Sequence, residues 1–317
     1  MKPLRDVAVL GAGLMGHGIA QVFAERECSV RIYDTSQDSL GTVRSRIETN
    51  LSRLSRDVSV SKRVTPIAEL EDAVRGADLV IEAVSENLRL KRELLGAVEG
   101  LVPDETILAS NTSVIPITEI MSGLRKPDRA LGTHWWNPPF LVPLVEVIGT
   151  PWTSDEAIAM TMRVLESVGK TPVRVKKDVA GFIGNRLQHA LWREAIFLVE
   201  QGICDAETVD LVVKSSFGRR LGVLGPLENA DLVGTDLTLA IHETILPTLC
   251  AQPAPSPYLR DLVDEGHLGM RNGRGFRFWA PKSRQQVQDG LLDFLARWST
   301  ERTAASESRH AGDDADG

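Results

Sequence analysis

Two ionisable residues stand out in the stretch GTHWWNPPFLVPLVEVIG, which covers residues 132–149. His134 ends an apolar segment, and Glu146 is the only charge in the strand-like run PLVEVIG. A histidine in such a position is usually structural, but a buried carboxylate without a partner costs several kcal/mol or becomes protonated. Histidine also has the near-neutral ordinary pKa that a general base requires. We therefore predict that the two residues pair, so that Glu146 orients the imidazole and stabilises its protonated form.

A glycine-rich turn near the start of the chain predicts a nucleotide site. An apolar strand, residues 7–10, leads through GAGLMG into a helical pattern, and a second strand ends at Asp34. Gly11 allows the tight turn, Gly13 admits a pyrophosphate, and Gly16 lets the helix pack close to the strand. The helix N-terminus favours phosphates. An acid at the end of the second strand suits the ribose diol of NAD and repels the 2′-phosphate of NADP, so the pattern predicts NAD.

The following segments alternate apolar strands with helical patterns. Further strands are predicted in residues 77–84, 105–113 and 170–178, and in the segments RALGTHWWNP and PLVEVIG. This alternation is typical of an α/β fold with a Rossmann-type, doubly wound parallel sheet. Polar residues at the carboxyl ends of such strands face the ligand crevice, and Ser113 and His134 lie at such ends. Ser113 is also suited to a second role, as the cap of the helix that follows it.

The second half of the chain has helical spacing, and we predict an all-α C-terminal domain. The boundaries expected are 1–180 for the dinucleotide domain, 181–300 for the helical domain and 301–317 for a disordered tail. The tail is rich in polar residues and lacks apolar periodicity. A second domain of this kind typically completes a substrate cleft and forms a homodimer interface.

Composition excludes several classes of protein. The net charge of −7 disfavours nucleic acid as a general partner. No apolar stretch reaches the ~18 residues of a membrane span, and the chain runs directly into a strand, so we expect neither a membrane partner nor a signal peptide. Three widely spaced cysteines, Cys28, Cys204 and Cys250, argue against a disulfide scaffold and a zinc site. We therefore expect a cytoplasmic protein without a metal.

One local exception to the acidic balance lies in residues 44–63. This segment has two acidic residues and six basic ones, a net charge of +4; the basic residues are Arg44, Arg46, Arg53, Arg56, Lys62 and Arg63. A solvated helix face is the ordinary interpretation of such a pattern. The alternative is a surface patch that binds phosphate groups.

Six motifs in their order along the chain resemble the 3-hydroxyacyl-CoA dehydrogenase family. They are GAGLMGHGIA, IEAVSENLRLKREL, ASNTSVIPI, THWWNPPFLVPLVEVI, DVAGFIGNRL and GPLENADLVGTD. The resemblance extends from residue 7 to about residue 278, which is nearly the whole chain. It implies an NAD-dependent dehydrogenase that oxidises a 3-hydroxyacyl compound, with a CoA thioester as the favoured substrate.

The resemblance also implies roles for individual residues. His134, in the H-x-x-N-P motif, takes the proton of the 3-hydroxyl while hydride passes to NAD, and Glu146 orients it. Ser113 and Asn185 position the substrate, and their polar groups suit the carbonyl oxygen that gains charge in the reverse reaction. The cofactor contacts expected are Gly11, Gly13, Leu14, Met15, Gly16, Asp34, Glu86, Lys91, Ser113, Asn137 and Arg271. Arg271 stands where the family more often has lysine.

Two departures from the family pattern concern the substrate. Trp135 and Trp136 replace the phenylalanines that usually follow the histidine, and they suit either core packing or a flatter acyl pocket. Residues 41–66 are about ten residues short of the Lys-rich hairpin that holds CoA in many members. Relatives with a similar pattern act on free hydroxy acids, such as L-gulonate, carnitine or pyridine carboxylates. A non-catalytic, crystallin-like protein that binds NAD is the remaining alternative.

Overall fold

The computed structural model describes the backbone of residues 5–313 and the side chains of residues 5–299. The chain forms two compact units. The first contains the residues up to Arg186 together with the chain from Leu292 onward, and the second contains Leu187–Leu291. Residues 181–186 and the chain after residue 292 thus belong with the unit that the sequence assigned to residues 1–180.

The first unit is built on one eight-stranded sheet. Its strands are β1 Asp6–Leu10, β2 Ser29–Tyr33, β3 Val64–Ile67, β4 Leu79–Glu82, β5 Ile107–Ser110, β6 Ala130–Trp135, β7 Leu144–Gly149 and β8 Thr171–Val175. Their spatial order is β3-β2-β1-β4-β5-β6-β7-β8. The chain places β2 and β3 on one side of β1 and then returns to place β4 on the other side, as in a doubly wound sheet. The predicted fold class is confirmed.

One pair of neighbouring strands departs from the parallel pattern. Strands β6 and β7 are antiparallel, whereas every other neighbouring pair is parallel. Residues 136–143 between them are too few for the helical crossover that parallel neighbours need, so the chain must return directly. Strand β3 was not predicted, because its sequence VTPI is short and contains Pro66, which is compatible with an edge position.

Helices cover both faces of the sheet. Those of the first unit are α1 Leu14–Ala24, α2 Gln37–Arg53, α3 Leu70–Val74, α4 Leu88–Glu99, α5 Ile117–Met121 and α6 Asp155–Ser167. Alternate residues of β1 enter two different hydrophobic clusters, Val7 and Val9 one of them and Ala8 and Leu10 the other. This alternation reflects a strand that is buried on both faces.

The remaining helices follow in the second half of the chain. They are α7 Gly184–Glu200, α8 Ala206–Ser215, α9 Pro226–Val233, α10 Thr235–Ile245, α11 Pro257–Asp264 and α12 Pro281–Asp313. None of α7 to α11 contains a buried side chain. Helix α12 continues through residues 301–313, where the sequence predicted disorder, and residues 314–317 lie outside the described part of the chain.

Candidate active site

The predicted pair of His134 and Glu146 is present in the structure. His134 lies on β6 and Glu146 on β7, and the two residues are direct partners in the antiparallel register. Nδ1 of His134 donates to Oε2 of Glu146 at 2.8 Å. Both side chains are almost fully buried, with 5% and 2% of their surface exposed. The antiparallel return thus places a histidine and its carboxylate side by side on one face of the sheet.

The second oxygen of Glu146 is held by the backbone. Oε1 accepts hydrogen bonds from the N–H groups of Ile183 at 2.8 Å and of Gly184 at 3.1 Å. Burial raises the pKa of Glu146, but the hydrogen bonds from His134, Gly184 and Ile183 outweigh it and leave the pKa below its ordinary value of 4.5. Glu146 is therefore a carboxylate at neutral pH, and it fixes the orientation of the imidazole.

Two aromatic rings flank the imidazole of His134. The ring of Trp136 lies 5.3 Å from it between centroids, and the ring of Phe182 lies 5.4 Å from it. Phe182 is completely buried, whereas Trp136 is partly exposed. Among the described side chains, the ring's only hydrogen bond is the one through Nδ1, and Nε2 has no protein partner there.

Ser113 and Asn185 lie next to each other. The side-chain amide of Asn185 donates to the backbone carbonyl of Ser113 at 2.8 Å. The N–H groups of Ser113 and Val114 both donate to Oε1 of Glu86. Burial raises the pKa of Glu86, but these bonds, the hydroxyl of Thr112 and the nearby ammonium of Lys91 lower it below 4.5. Glu86 thus holds the loop that carries Ser113.

Lys91 is part of a buried ion chain that the sequence did not predict. Its side chain is 0% exposed, and Nζ lies 2.7 Å from Oε1 of Glu82 and 3.3 Å from Oε2 of Glu86. Glu82 also accepts hydrogen bonds from the hydroxyl of Ser110 and the N–H of Val84. The ammonium is thus held by the end of β4 and by the loop after it, and its predicted contact with NAD remains a prediction.

Asn111 is a polar residue to which the sequence analysis assigned no role. It is buried at the end of β5, and its Oδ1 accepts a hydrogen bond from the N–H of Trp135 at 2.9 Å. This bond fixes the end of β6 beside His134. The polar run Asn111–Ser113 was the available signal, but only the pairing of β5 with β6 reveals what Asn111 contacts.

The glycine turn has the geometry that a dinucleotide requires. A Cβ on Gly11 would lie 2.6 Å from the carbonyl oxygen of Ala83, and one on Gly16 would lie 1.7 Å from that of Gly11, so both positions require glycine. A Cβ on Gly13 would meet nothing within 4 Å, which leaves open space in front of the turn. Helix α1 also begins without a side-chain cap. Its first N–H groups are therefore available to a pyrophosphate.

The turn is braced by two charged side chains. Asp34 accepts hydrogen bonds from the N–H groups of Ala12 at 2.7 Å and Ser36 at 2.8 Å. Arg46, on α2, donates to the carbonyl oxygens of Ala12 at 2.6 Å and Ser39 at 2.9 Å. The sequence placed Arg46 in a basic patch, whereas the structure uses it to hold the turn.

Met15 is partly buried beside the first core cluster, and Leu14 is 65% exposed.

The basic segment 44–63 is largely exposed, and its arginines also have partners within the protein. Each of its five arginines contacts another part of the first unit: Arg44 contacts the carbonyl of Val64, Arg46 that of Ala12, Arg53 the side chain of Asp293, Arg56 that of Glu25, and Arg63 the carbonyl of Ala24. Helix α2 and the short 3-10 helix Val58–Arg63 account for most of the segment, and they form no long hairpin.

The two remaining predicted cofactor contacts are Asn137 and Arg271. Asn137 is exposed just after β6, and Arg271 is exposed in the second unit. No cluster of three or more His, Cys, Asp or Glu that could hold a metal occurs among the described residues. No helix in the described part of the chain has the length and apolar composition needed to cross a membrane.

Comparison with family models and with known proteins shows the family of the chain. Residues 6–179 match the model of the 3-hydroxyacyl-CoA dehydrogenase NAD-binding domain, and residues 181–279 match that of the C-terminal domain of the same family. A 5-formyl-3-hydroxy-2-methylpyridine 4-carboxylate 5-dehydrogenase of Mesorhizobium japonicum is 34% identical over 290 residues, which cover 90% of this chain and 94% of the relative.

Two solved structures show the same similarity. A structure of 5-formyl-3-hydroxy-2-methylpyridine 4-carboxylic acid 5-dehydrogenase, described as an NAD⁺-dependent dismutase, superposes with a TM-score of 0.86 at 33% identity, covering 93% of this chain and 97% of the other. An (S)-3-hydroxybutyryl-CoA dehydrogenase of Ralstonia eutropha superposes with a TM-score of 0.70 at 33% identity, covering 87% and 99%.

The glycine turn, the sheet order and the strand-end residues define an NAD-binding dehydrogenase domain. The chain belongs to the 3-hydroxyacyl-CoA dehydrogenase family, and it is an NAD-dependent oxidoreductase of that type.

Proposed function

We propose that this enzyme oxidises the hydroxyl group of a 3-hydroxy carboxyl compound to the 3-oxo form, with His134 as the general base. The observation that carries the proposal is the buried pair itself, because Glu146 receives three hydrogen bonds and stays charged. A carboxylate fixed in this way holds the proton of His134 on Nδ1 and leaves Nε2 as the basic atom.

In the proposed reaction, Nε2 of His134 takes the proton from the substrate hydroxyl. Bound NAD would supply the acceptor for the hydride that leaves the carbon bearing this hydroxyl. The imidazolium that forms is stabilised by Glu146, which remains unprotonated throughout. In the reverse direction the imidazolium returns the proton to the oxygen of the 3-oxo group. No other proton donor is needed for the reaction to balance.

Ser113 and Asn185 are proposed to bind the substrate oxygen. The hydroxyl of Ser113 is exposed, and Asn185 is held against the backbone of Ser113 by its amide. Donors at a fixed position stabilise the oxygen as it gains negative charge in the reduction. Glu86 supports this arrangement, because it accepts the N–H groups of the same loop.

The cofactor contacts proposed are those of the glycine turn and its neighbours. The backbone around Gly11, Gly13 and Gly16, with Leu14 and Met15, is assigned to the pyrophosphate, and Asp34 to the adenosine ribose. Glu86, Lys91, Ser113, Asn137 and Arg271 are proposed contacts to the remaining parts of NAD.

A free hydroxy acid is the substrate class that the first unit supports best. The segment 44–63 lacks the hairpin that holds CoA in many members, and each of its arginines already contacts a group of the protein. The similarity to a dehydrogenase named for a pyridine carboxylate supports the same choice. A 3-hydroxyacyl-CoA thioester is the second candidate, because a 3-hydroxybutyryl-CoA dehydrogenase is similar over almost its whole length.

The experiment that tests the proposal is NADH formation against a panel of hydroxy compounds. The panel contains 3-hydroxybutyryl-CoA, longer 3-hydroxyacyl-CoAs, L-gulonate, carnitine and aromatic hydroxy acids. We expect turnover with free acids and a much lower kcat/KM with the thioesters. Turnover confined to the thioesters would establish the second candidate, and no turnover with any compound would contradict the proposed reaction.

A homodimer is proposed as the working form of the enzyme. Apolar side chains project from the helices of the second unit, among them Leu227 and Leu232 of α9 and Leu239 of α10. Exposed apolar residues in such density mark an interaction surface.

We propose a cytoplasmic location on the basis of cysteine usage.

A further inference from the structure

The two tryptophans after His134 lie in different environments. Trp135 is 2% exposed and packs in the core, where its ring lies 6.0 Å from that of Phe23. Trp136, two residues after His134, lies on the same face as the imidazole, as expected for alternating residues of an extended segment. Trp136 is therefore a neighbour of the proposed base, whereas Trp135 is a core residue.

The indole of Trp136 packs so closely against Gly184 that only glycine fits at that position. A Cβ added to Gly184 would lie 2.3 Å from Cζ2 of Trp136 and 3.2 Å from its Cη2, and the first distance is too short for a real contact. The indole thus fills the volume that any other residue at position 184 would occupy. The N–H of Gly184 is one of the two that hold Glu146. The indole, the glycine and the proposed catalytic pair consequently pack as one unit.

The indole is placed to contact a substrate. The imidazole is flanked by Phe182, which is completely buried, and by Trp136, which is partly exposed. A hydroxyl that reaches Nε2 of His134 therefore brings its neighbouring carbon atoms toward Trp136. The edge of the indole rests against the backbone at Gly184, so the ring presents a rigid and flat surface to the substrate.

We propose that Trp136, seated on Gly184, is the specificity-determining residue of this active site. It forms one wall of the substrate site and selects carboxylates whose CH–OH carbon is attached to an aromatic or heteroaromatic ring over flexible aliphatic hydroxy acids. The inference rests on the proposed function, because it assumes that His134 accepts the proton. Contact between two aromatic rings contributes free energy beyond that of the buried area alone. This extra free energy corresponds to a factor of about 2 to 10 in an equilibrium constant.

The first test compares substrate preference in Trp136→Leu and in a matched control, Trp152→Leu. Trp152 is an exposed tryptophan in the turn after β7, at the opposite end of that strand from Leu144. The measured quantity is kcat/KM for an aromatic carboxylate that carries a hydroxymethyl group on its ring, divided by kcat/KM for 3-hydroxybutyrate. We expect Trp136→Leu to lower this ratio by about 2- to 10-fold, and Trp152→Leu to leave it unchanged.

The second test examines the close packing of Trp136 against Gly184. It compares Gly184→Ala with the double variant Gly184→Ala and Trp136→Leu. The single variant is expected to lose thermal stability and activity, because the new methyl group meets the indole and displaces the N–H that holds Glu146. The double variant is expected to regain both. Thermal unfolding reports on this packing independently of turnover.

Several outcomes would overturn the inference. An unchanged substrate ratio in Trp136→Leu, or an equal change in Trp152→Leu, contradicts the specificity role. A double variant no more stable than Gly184→Ala contradicts the close packing. A wild-type enzyme without turnover on any hydroxy compound refutes the proposed function itself, a result that the variants cannot produce.

Discussion

At the residue scale, the charge of Glu146 is the feature on which the proposed reaction depends. Its two oxygens accept from His134 on one side and from two backbone N–H groups on the other. Those N–H groups belong to Ile183 and Gly184, where the chain enters α7. The carboxylate therefore both orients the imidazole of His134 and joins the sheet to the start of a helix.

We predict that His134→Ala and Glu146→Gln each lower kcat/KM by at least about 100-fold, the lower end of what general acid–base catalysis contributes. The first variant removes the base, and the second cannot stabilise the imidazolium. The dissociation constant of NADH, measured by fluorescence titration, is expected to stay unchanged, because neither residue belongs to the glycine turn. Near-normal turnover in either variant would refute the mechanism.

A second prediction at this scale concerns Gly16. Gly16→Ala places a methyl group 1.7 Å from the carbonyl oxygen of Gly11, so the turn or the helix must move and NAD binding is expected to be lost. Gly96→Ala, in the interior of α4, is the control, because its methyl group meets nothing within 4 Å. The control is expected to bind NADH normally and to gain about 0.5–1 kcal/mol in stability. Equal affinity for NADH in both variants would contradict this account of the turn.

At the scale of the elements, a buried ion pair at the end of β4 continues through a partly exposed glutamate to the loop that carries Ser113. Lys91, on α4, lies between Glu82 at the end of β4 and Glu86 in the following loop. Glu86 in turn accepts the N–H of Ser113. Such a chain is costly to break, because removal of one charge leaves another buried without a partner.

We predict that Lys91→Met destabilises the protein by about 3–5 kcal/mol at pH 7, the range measured for broken buried ion pairs. Arg75→Ala is the control, since it removes an exposed ion pair with Asp72 and is expected to cost less than about 1 kcal/mol. Urea unfolding measures both values. A loss in Lys91→Met no larger than that of the control would show that the ion chain contributes nothing to stability.

The stability of the protein at acidic pH depends on two carboxylates, Glu86 in the loop after β4 and Glu146 on β7. The pKa values of Glu86 and Glu146 in the folded protein lie below 4.5, their ordinary value. On acidification the unfolded chain therefore binds protons first, so the stability that these groups contribute is present above pH 4.5 and is lost as the pH falls through their folded values.

We expect the thermal midpoint of the wild type to fall as the pH is lowered below 4.5, and to fall less steeply in Glu86→Gln, which lacks one of these groups. Glu93→Gln, a change at an exposed residue of α4, serves as the control with the wild-type slope. Parallel profiles for Glu86→Gln and the wild type would contradict the assigned shift.

At the scale of the whole molecule, the two units differ in how they bury their side chains. The sheet of the first unit is covered on both faces by two hydrophobic clusters. Helices α7 to α11 contain no buried side chain, although their sequences have apolar residues at helical spacing. An amphipathic helix gains stability by burying its apolar face, and this gain is the reason to expect a partner subunit.

We predict that the enzyme is a dimer in solution and that Leu227→Lys weakens the dimer. Leu227, on α9, is 79% exposed, and a charge there is costly to bury in an interface. Leu90→Lys, a change at an exposed leucine of α4 in the first unit, is the control and is expected to leave the dimer intact. Sedimentation velocity over a range of concentrations measures the association. A monomeric wild type would contradict the proposal.

The sequence alone determined those features that depend on residues close together in the chain. The turn GAGLMG requires glycines for local steric reasons, and the apolar strands between helical patterns predict a doubly wound sheet. The pair of His134 and Glu146 could also be predicted, because a charge within an apolar strand needs a partner nearby. These predictions concern local conformation and an unmet electrostatic requirement, and both are visible in the residue types.

Only the tertiary structure decided which distant groups meet. It makes β6 and β7 antiparallel, encloses Lys91 between two glutamates, and assigns a protein partner to each arginine of residues 44–63. It also seats Trp136 against Gly184, forty-eight positions further along the chain. Such contacts depend on the packing of strands and helices that are far apart in sequence, and neither residue type nor periodicity specifies that packing.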